Sequence, residues 1–104
     1  MSVGKLKLRF TPDAQANFRH LLAQSEKTWG VRQAEAYEEE IFSTLDVIRN
    51  HPDIGVSRPD IVAGCRSYPA GRHTIFYRVS RDALEILRIL HQRQRTEGQF
   101  DDLD

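Results

Sequence analysis

Cysteine, closely spaced histidines and long apolar stretches are all scarce in this sequence, and each scarcity excludes a class of protein. Cys65 is the only cysteine among 104 residues, so no internal disulfide can form and the thiol is expected to be a small buried apolar group. No apolar run approaches the roughly 20 residues that span a bilayer, and residues 1–10 lack the apolar core of a secretion signal. We therefore expect a cytoplasmic, single-domain protein without a membrane partner.

The histidines are spread along the chain, which argues against a metal site. They are His20, His51, His73 and His91. Each falls on a different predicted element, whereas zinc ligands usually include pairs separated by about two to five residues. The sequence therefore predicts no metal site and no cofactor.

Charge is balanced overall but unevenly distributed. The formal net charge is zero, yet residues 58–95 hold eight arginines against three acidic residues, and residues 96–104 hold four acidic residues and no basic one. No lysine follows Lys27, so every cation of the basic segment is an arginine. Arginine is favoured where a planar fork meets carboxylate or phosphate, which predicts an anionic partner surface. The alternative is a solvated strand face that avoids edge-to-edge pairing.

The first part of the chain has the pattern of a strand followed by a helix. Apolar and basic residues alternate over residues 5–10, the period of a half-buried strand. Thr11, Pro12 and Asp13 suit a helix start, because threonine caps exposed amides, proline fits the first helical position and aspartate faces the positive end of the dipole. This helix is predicted to end at Gly30, with a buried stripe of Ala14, Phe18, Leu21, Leu22, Ser25 and Trp29.

A second amphipathic helix is predicted over about 31–49. Pro52 ends it, because proline cannot continue a helix and disfavours helix in the residue before it. The short connection at Gly30 implies that the two helices form an antiparallel hairpin. The buried stripe of the second helix is expected to be Ala34, Tyr37, Ile41, Leu45 and Ile48.

The rest of the chain is dominated by strand patterns. An irregular connection is expected over 53–64, and short turns then separate strands at 65–68, 73–79 and 84–91, which predicts a three-stranded meander. The resulting order is β-α-α-β-β-β. This is an α+β fold, an antiparallel sheet with a two-helix hairpin packed on one face. The domain is predicted to cover residues 1–95, and residues 96–104 to form a polar acidic tail that frays toward its end.

The sheet face away from the helices is too large for so short a chain to cover fully. Arg78 and Arg88 occupy strand positions expected to lie on that face, which makes it the predicted site of function. The alternative for both arginines is a structural ion pair with Asp82 or Glu85 across the last turn.

Three sequence segments resemble a known family. Residues 29–37 (WGVRQAEAY) resemble the junction between the helices of ParE-type toxins, a branch of the RelE/ParE toxin–antitoxin superfamily. Residues 64–79, with HTIFYR at 73–78, resemble their second and third strands, and EILRILH at 85–91 resembles their last strand. The resemblance covers about residues 6–95, and on it the chain is identified as a member of the ParE branch.

The resemblance implies a function and two partners. Toxins of this type belong to type II toxin–antitoxin pairs, in which a ParD-like antitoxin wraps its C-terminal segment across the helical hairpin and sheet. The toxin poisons DNA gyrase, whereas the RelE branch cleaves mRNA in the ribosomal A site, which is the alternative function here. One departure stands out: the last strand ends in HQRQR (91–95) where ParE-type chains commonly have His-x-Arg-Met-Asp, so this end is more basic.

Ribonuclease chemistry needs a base for the 2′-hydroxyl, an acid for the leaving oxygen and cations for the phosphate. His73, His91 and the arginines offer part of this set. The RelE branch, however, relies on lysines, or on a glutamate paired with histidine, and on a C-terminal tyrosine. This chain has no lysine after Lys27 and no tyrosine after Tyr77. The sequence therefore favours binding over catalysis, and no catalytic residue is assigned.

Direct nucleic-acid binding is also disfavoured. Tyr68, Phe76 and Tyr77 lie near arginines and resemble a base-stacking set. Phe76 and Tyr77 are neighbours on one strand, however, so they point to opposite faces and at least one belongs to the core.

Two sets of residues are therefore assigned to two protein partners. The target, gyrase, is expected to contact a basic strand face, and the antitoxin is expected to lie on the helical hairpin as an amphipathic segment. For Phe42 and Val47 the alternative is core packing. The target set is Arg72, Arg78, Arg88, His91 and Arg93, and the antitoxin set is Val31, Tyr37, Phe42 and Val47.

Overall fold

The computed structural model describes residues 6–103, which form a five-stranded sheet and two long helices. Within that range, no helix is long and apolar enough to cross a membrane. In chain order the elements are β1 (Lys7–Phe10), α1 (Pro12–Trp29), α2 (Val31–Asn50), a 3₁₀ turn (Pro52–Ile54), β2 (Val56–Ser57), β3 (Arg66–Ala70), β4 (His73–Ser80) and β5 (Ala83–His91). The expected α+β class and helical hairpin are confirmed. The short edge strand β2 is new, because two residues are too few to leave a period in the sequence.

The strands are ordered β1-β5-β4-β3-β2, and one pairing corrects the expected antiparallel sheet. The strand pairs β2–β3, β3–β4 and β4–β5 are antiparallel, but β1 runs parallel to β5. Tight turns force the β3–β5 meander to alternate direction. β1 joins the sheet through the long helical connection, and no turn constrains its direction.

Helix α1 begins as its sequence predicts. The Thr11 Oγ1 accepts a hydrogen bond from the Ala14 N–H at 3.1 Å, so it caps the helix. The same hydroxyl donates to the Leu87 carbonyl at 2.8 Å. The cap therefore also ties the start of α1 to strand β5.

The face of the sheet against the helices holds the larger core. The predicted stripe of α2 is buried in full, and Ala14, Leu21 and Ser25 of α1 are buried with it. Trp29, the last residue expected in the α1 stripe, is instead 51% exposed. The chain reverses at Gly30, where φ is +94°, so Trp29 is the last residue of α1.

The opposite face of the sheet is covered, contrary to expectation. A second apolar cluster there contains Val62, Cys65, Phe76, Leu87, Leu90 and Phe100. The connection before β3 supplies Val62, and the acidic tail supplies Phe100. The tail was expected to be polar and to fray toward its end; within its described part, residues 96–103, Phe100 is buried and Asp101 and Asp102 are exposed. Cys65 is buried as predicted, and burial raises the pKa of its thiol to about 11.

Candidate functional site

The hydroxyl of Tyr37, on α2, contacts the β3–β4 turn at one end of the sheet. Its hydroxyl accepts a hydrogen bond from the Arg72 N–H at 2.9 Å, donates to the Ala70 carbonyl at 3.1 Å, and lies 2.7 Å from the His73 Nδ1. Burial raises the pKa of Tyr37, so the hydroxyl stays protonated. Tyr37 was expected to contact an antitoxin. Its side chain is buried, as the α2 stripe predicts, and its hydroxyl holds the β3–β4 turn.

The β3–β4 turn places Arg72 on the surface. Gly71 has φ +58°, and a side chain there would collide with the Tyr37 ring, so both conformation and space require glycine. The Arg72 guanidinium lies 3.9 Å from the centroid of the Trp29 ring. This cation–π contact restricts the conformations of the Arg72 side chain and holds its charge beside Trp29.

Two imidazoles lie beside Arg72. The rings of His73 and His91 meet edge-to-face with centroids 5.3 Å apart, and the two residues are register partners in β4 and β5. Burial, followed by the nearby His91 and Arg72, lowers the pKa of His73 to about 4, so His73 is neutral at physiological pH. The Nδ1 of His91 accepts a hydrogen bond from the Arg93 N–H at 3.1 Å, which leaves Nε2 as the donor of the neutral ring.

These side chains line a cleft of about 790 Å³ between α1 and the end of the sheet. His20 of α1 and Trp29 form its helical side, and Arg72, His73 and His91 form its sheet side. None of the described lining residues is acidic. The cleft is therefore a shallow, weakly cationic surface with an aromatic wall. Sequence reasoning missed Trp29 and His20 as members, because their spacing from Arg72 along the chain carries no signal.

The five residues expected to bind the target are not brought together. Arg72 and His91 share the cleft, and Arg93 is exposed next to His91. Arg78 lies toward the other end of β4, where its Nε donates to Glu85 Oε1 at 2.9 Å. This is the structural ion pair that the sequence left open.

Arg88 contradicts its expected exposure most clearly, since it is 3% exposed. Its Nη2 lies 2.9 Å from an Asp13 carboxylate oxygen and 2.5 Å from one of Asp102, and its Nε donates to the Gln99 carbonyl at 2.9 Å. The partners come from α1 and from the tail, so no local pattern could reveal them. Arg88 is therefore a structural bridge between β5, α1 and the tail rather than an exposed cation of the sheet face.

The helical hairpin presents three of the four residues expected to bind an antitoxin. Val31, Phe42 and Val47 of α2 are exposed, with Phe42 at 44%. Phe42 packs edge-to-face on Phe18 of α1 at a centroid distance of 5.4 Å. Phe42 is therefore neither a core residue nor fully exposed, because its ring contacts Phe18 on one side and faces solvent on the other.

The surface around Phe42 differs from the cleft in its charge, because its neighbouring side chains are acidic. Glu35, Glu38 and Glu39 lie with Phe42 around a shallow depression on α2. The molecule therefore offers two separate surfaces of opposite charge. The cleft between α1 and the end of the sheet is cationic, and the surface around Phe42 on α2 is acidic.

Comparison with known proteins agrees with this fold. The family model described as the ParE toxin of the type II toxin–antitoxin system parDE matches residues 8–96. A protein named toxin ParE1 from Caulobacter vibrioides is 38% identical over 84 residues, covering 81% of this chain and 86% of that protein. Toxin ParE1 from Mycobacterium tuberculosis is also 38% identical over 84 residues, covering 80% and 86%. A solved structure titled as the chromosomal ParDE system from P. aeruginosa has a TM-score of 0.70 at 21% identity, covering 84% of this chain and 96% of that chain. The chain belongs to the ParE toxin family of type II toxin–antitoxin systems.

Proposed function

We propose that this toxin acts in the cytoplasm by binding DNA gyrase through the cleft end of the sheet, and that a ParD-like antitoxin neutralises it. Family membership supports the pairing with an antitoxin and the resemblance to ParE-type toxins supports the target. The observation that carries the choice of surface is Arg72, fixed on Trp29 at the rim of a cleft without acidic lining residues.

The target surface is reduced to residues that can reach a partner. Arg72, His91 and Arg93 remain in the proposal, because they lie within or next to the cleft. Arg78 is half-buried and held by Glu85, so it contributes at most at the margin of the surface. Arg88 is removed from the target set, since it is buried and paired with Asp13 and with Asp102 of the tail.

The antitoxin surface is proposed to centre on Phe42 and Val31 of α2. Exposed apolar side chains on one helix are suited to an amphipathic segment. Residue spacing places Val31 and Phe42 on the same side of α2, while Val47 is displaced by more than a quarter turn. The acidic neighbours of Phe42 favour a segment that carries basic residues beside its apolar ones.

Binding is favoured over ribonuclease catalysis because the described part of the cleft offers no pairing of a histidine with a carboxylate, and His73 is a weak base. Phosphodiester cleavage needs a base near neutral pH, but His73 has a pKa of about 4 and is tied to Tyr37. Glu85, the acidic residue of β5, is engaged by Arg78 and by Arg9 at 3.6 Å. No acidic side chain among the described lining residues stands ready to assist an imidazole.

The test compares two activities of the purified chain. Gyrase supercoiling should stop at stoichiometric toxin, and mRNA on ribosomes should remain intact. Cleaved mRNA with normal supercoiling would reverse the assignment in favour of a ribosome-dependent endoribonuclease. Addition of the partner encoded beside the toxin gene should restore supercoiling.

Matched variants locate the surface. Arg72→Gln should weaken gyrase inhibition about tenfold or more, a loss expected when a fixed cation at an interface centre is removed. Arg95→Gln is the control, because Arg95 is exposed and pairs only with Glu97 among its described contacts. Equal inhibition by the two variants would show that gyrase does not use the cleft.

A further inference from the structure

The acidic tail lies outside the part of the chain that matches the ParE family, yet it is seated on the sheet. The family match ends at residue 96. Beyond it, Phe100 packs on Phe76 with ring centroids 5.1 Å apart, and the Arg88 guanidinium lies 5.4 Å from the Phe100 centroid. Asp102 pairs with Arg88. The tail therefore places an aromatic ring and, two residues later, a carboxylate in a depression on the sheet, which we call the slot.

The slot is part of the family domain and would exist without the tail. Its apolar floor is formed by Phe76, Leu87 and Leu90, which lie on β4 and β5. Its charged end is Arg88, also on β5. When the tail leaves, Arg88 keeps Asp13 as a partner at 2.9 Å, so the buried cation is not stranded. The slot can therefore open without the penalty that usually holds a buried ion pair closed.

The attachment of the tail is correspondingly light. Two of its backbone hydrogen bonds, from Gln99 N–H to the Thr96 carbonyl and from Leu103 N–H to the Phe100 carbonyl, stay within the tail. The bonds that reach the sheet come from Arg88, to the Gln99 carbonyl and to Asp102. Glu97, Gly98 and Asp101 are exposed. The tail is held by the Phe100 ring, by the partly buried Leu103 and by Arg88, and it forms no strand of the sheet.

We infer that this slot is an interaction surface that the tail occupies in place of a partner protein, and that the partner presents an aromatic residue followed two residues later by a carboxylate. The structure supplies the chemistry of the partner, because Phe100 and Asp102 show what the slot accepts. The inference is independent of gyrase and of the antitoxin surface on α2. It identifies a third surface, closed until a segment of the same kind displaces the tail.

A peptide in trans tests the slot directly. A labelled peptide of residues 96–104 is added to the full chain carrying Phe100→Ala and Asp102→Asn, which weaken its own tail, and binding is followed by fluorescence anisotropy. Saturable binding is expected, at least about tenfold tighter than to the wild-type chain, because the tethered tail competes at high effective concentration. Failure of the peptide to bind the weakened chain would overturn the inference.

Matched peptides separate specific binding from charge attraction. Asp102→Asn in the peptide should cost about twofold in affinity, whereas Asp101→Asn should change little, since Asp102 and not Asp101 meets Arg88. Equal losses would mean that the slot senses only negative charge, and the inference would fail. A nine-residue scrambled peptide that binds as well would have the same meaning.

Cys65 provides a second readout in the intact chain. It is the only cysteine and is buried in the apolar cluster that contains Phe100. Alkylation of Cys65 should be slow in the wild type and about twofold faster in the Asp102→Asn variant, with Asp101→Asn at the wild-type rate. This single variant also serves if the doubly substituted chain does not fold. An Asp102→Asn rate equal to wild type would show that the tail is a fixed part of the fold.

Discussion

The two faces of the sheet are both covered, but by different means. The helix face is closed by residues spaced three or four apart on α1 and α2, so many side chains interlock over two long elements. The other face is closed by a loop and by a tail whose main anchors are Phe100 and Arg88. A cover built from a periodic element is cooperative, whereas a cover built from single anchors can detach locally.

The largest difference between the faces is expected in core truncations. Ile41→Ala, on the buried face of α2, should lower the free energy of unfolding by about 3 kcal/mol, because the helix cannot collapse into the cavity. Phe100→Ala should cost only about 1 kcal/mol, although the ring is larger, because the tail can lift away. Urea unfolding of both variants measures the two values. Equal losses would contradict the distinction.

The Tyr37 network tests whether the cleft depends on the helix face. Tyr37→Phe removes the hydroxyl that serves Arg72, Ala70 and His73, and should cost about 2 kcal/mol, because buried polar groups lose their partner. Gyrase inhibition should fall with it at temperatures where the chain is still folded. Thermal unfolding and supercoiling assays on the same preparation would separate the two effects.

The pH dependence of stability should report on His73. Its pKa in the folded chain is about 4, below the ordinary value of 6.5, so the unfolded chain binds the proton more readily. Its contribution to stability is complete above pH 6.5 and is lost as pH falls toward 4. The wild type should therefore lose several degrees of Tm between pH 7 and pH 5. His73→Gln should lose less, and an equal loss would assign the effect to other groups.

The smallest effect is expected at the carboxylates that pair with Arg88. Asp13 and Asp102 are both more than half exposed, so Asp102→Asn should cost about 0.5 kcal/mol or less while Asp13 remains. Replacing both should cost more than the sum of the single changes, because Arg88 then loses its last carboxylate partner. A double-mutant cycle measures this coupling. Additive losses would mean that the two carboxylates do not share Arg88.

Sequence reasoning succeeded where a short-range pattern carries the physics. The Thr11 cap, the buried stripe of α2 and the opposed faces of Phe76 and Tyr77 follow from periods of a few residues. It failed for Trp29, which continues the apolar spacing of α1 but is exposed as the last residue of that helix. It also failed for Arg88, whose carboxylates lie 75 residues before it and 14 residues after it in the chain. The candidate cleft was half predicted, since Arg72 and His91 were named and Trp29 and His20 were not.

The sequence by itself determined the two helices, the meander and the family, because each is written in local spacing or in contiguous segments. The tertiary structure alone decided which arginines remain available. Arg72 was brought to the Trp29 ring and kept on the surface, while Arg88 was enclosed by Asp13 and the tail. The reason is physical: the cost of burying a guanidinium depends on partners that only the folded chain brings within reach.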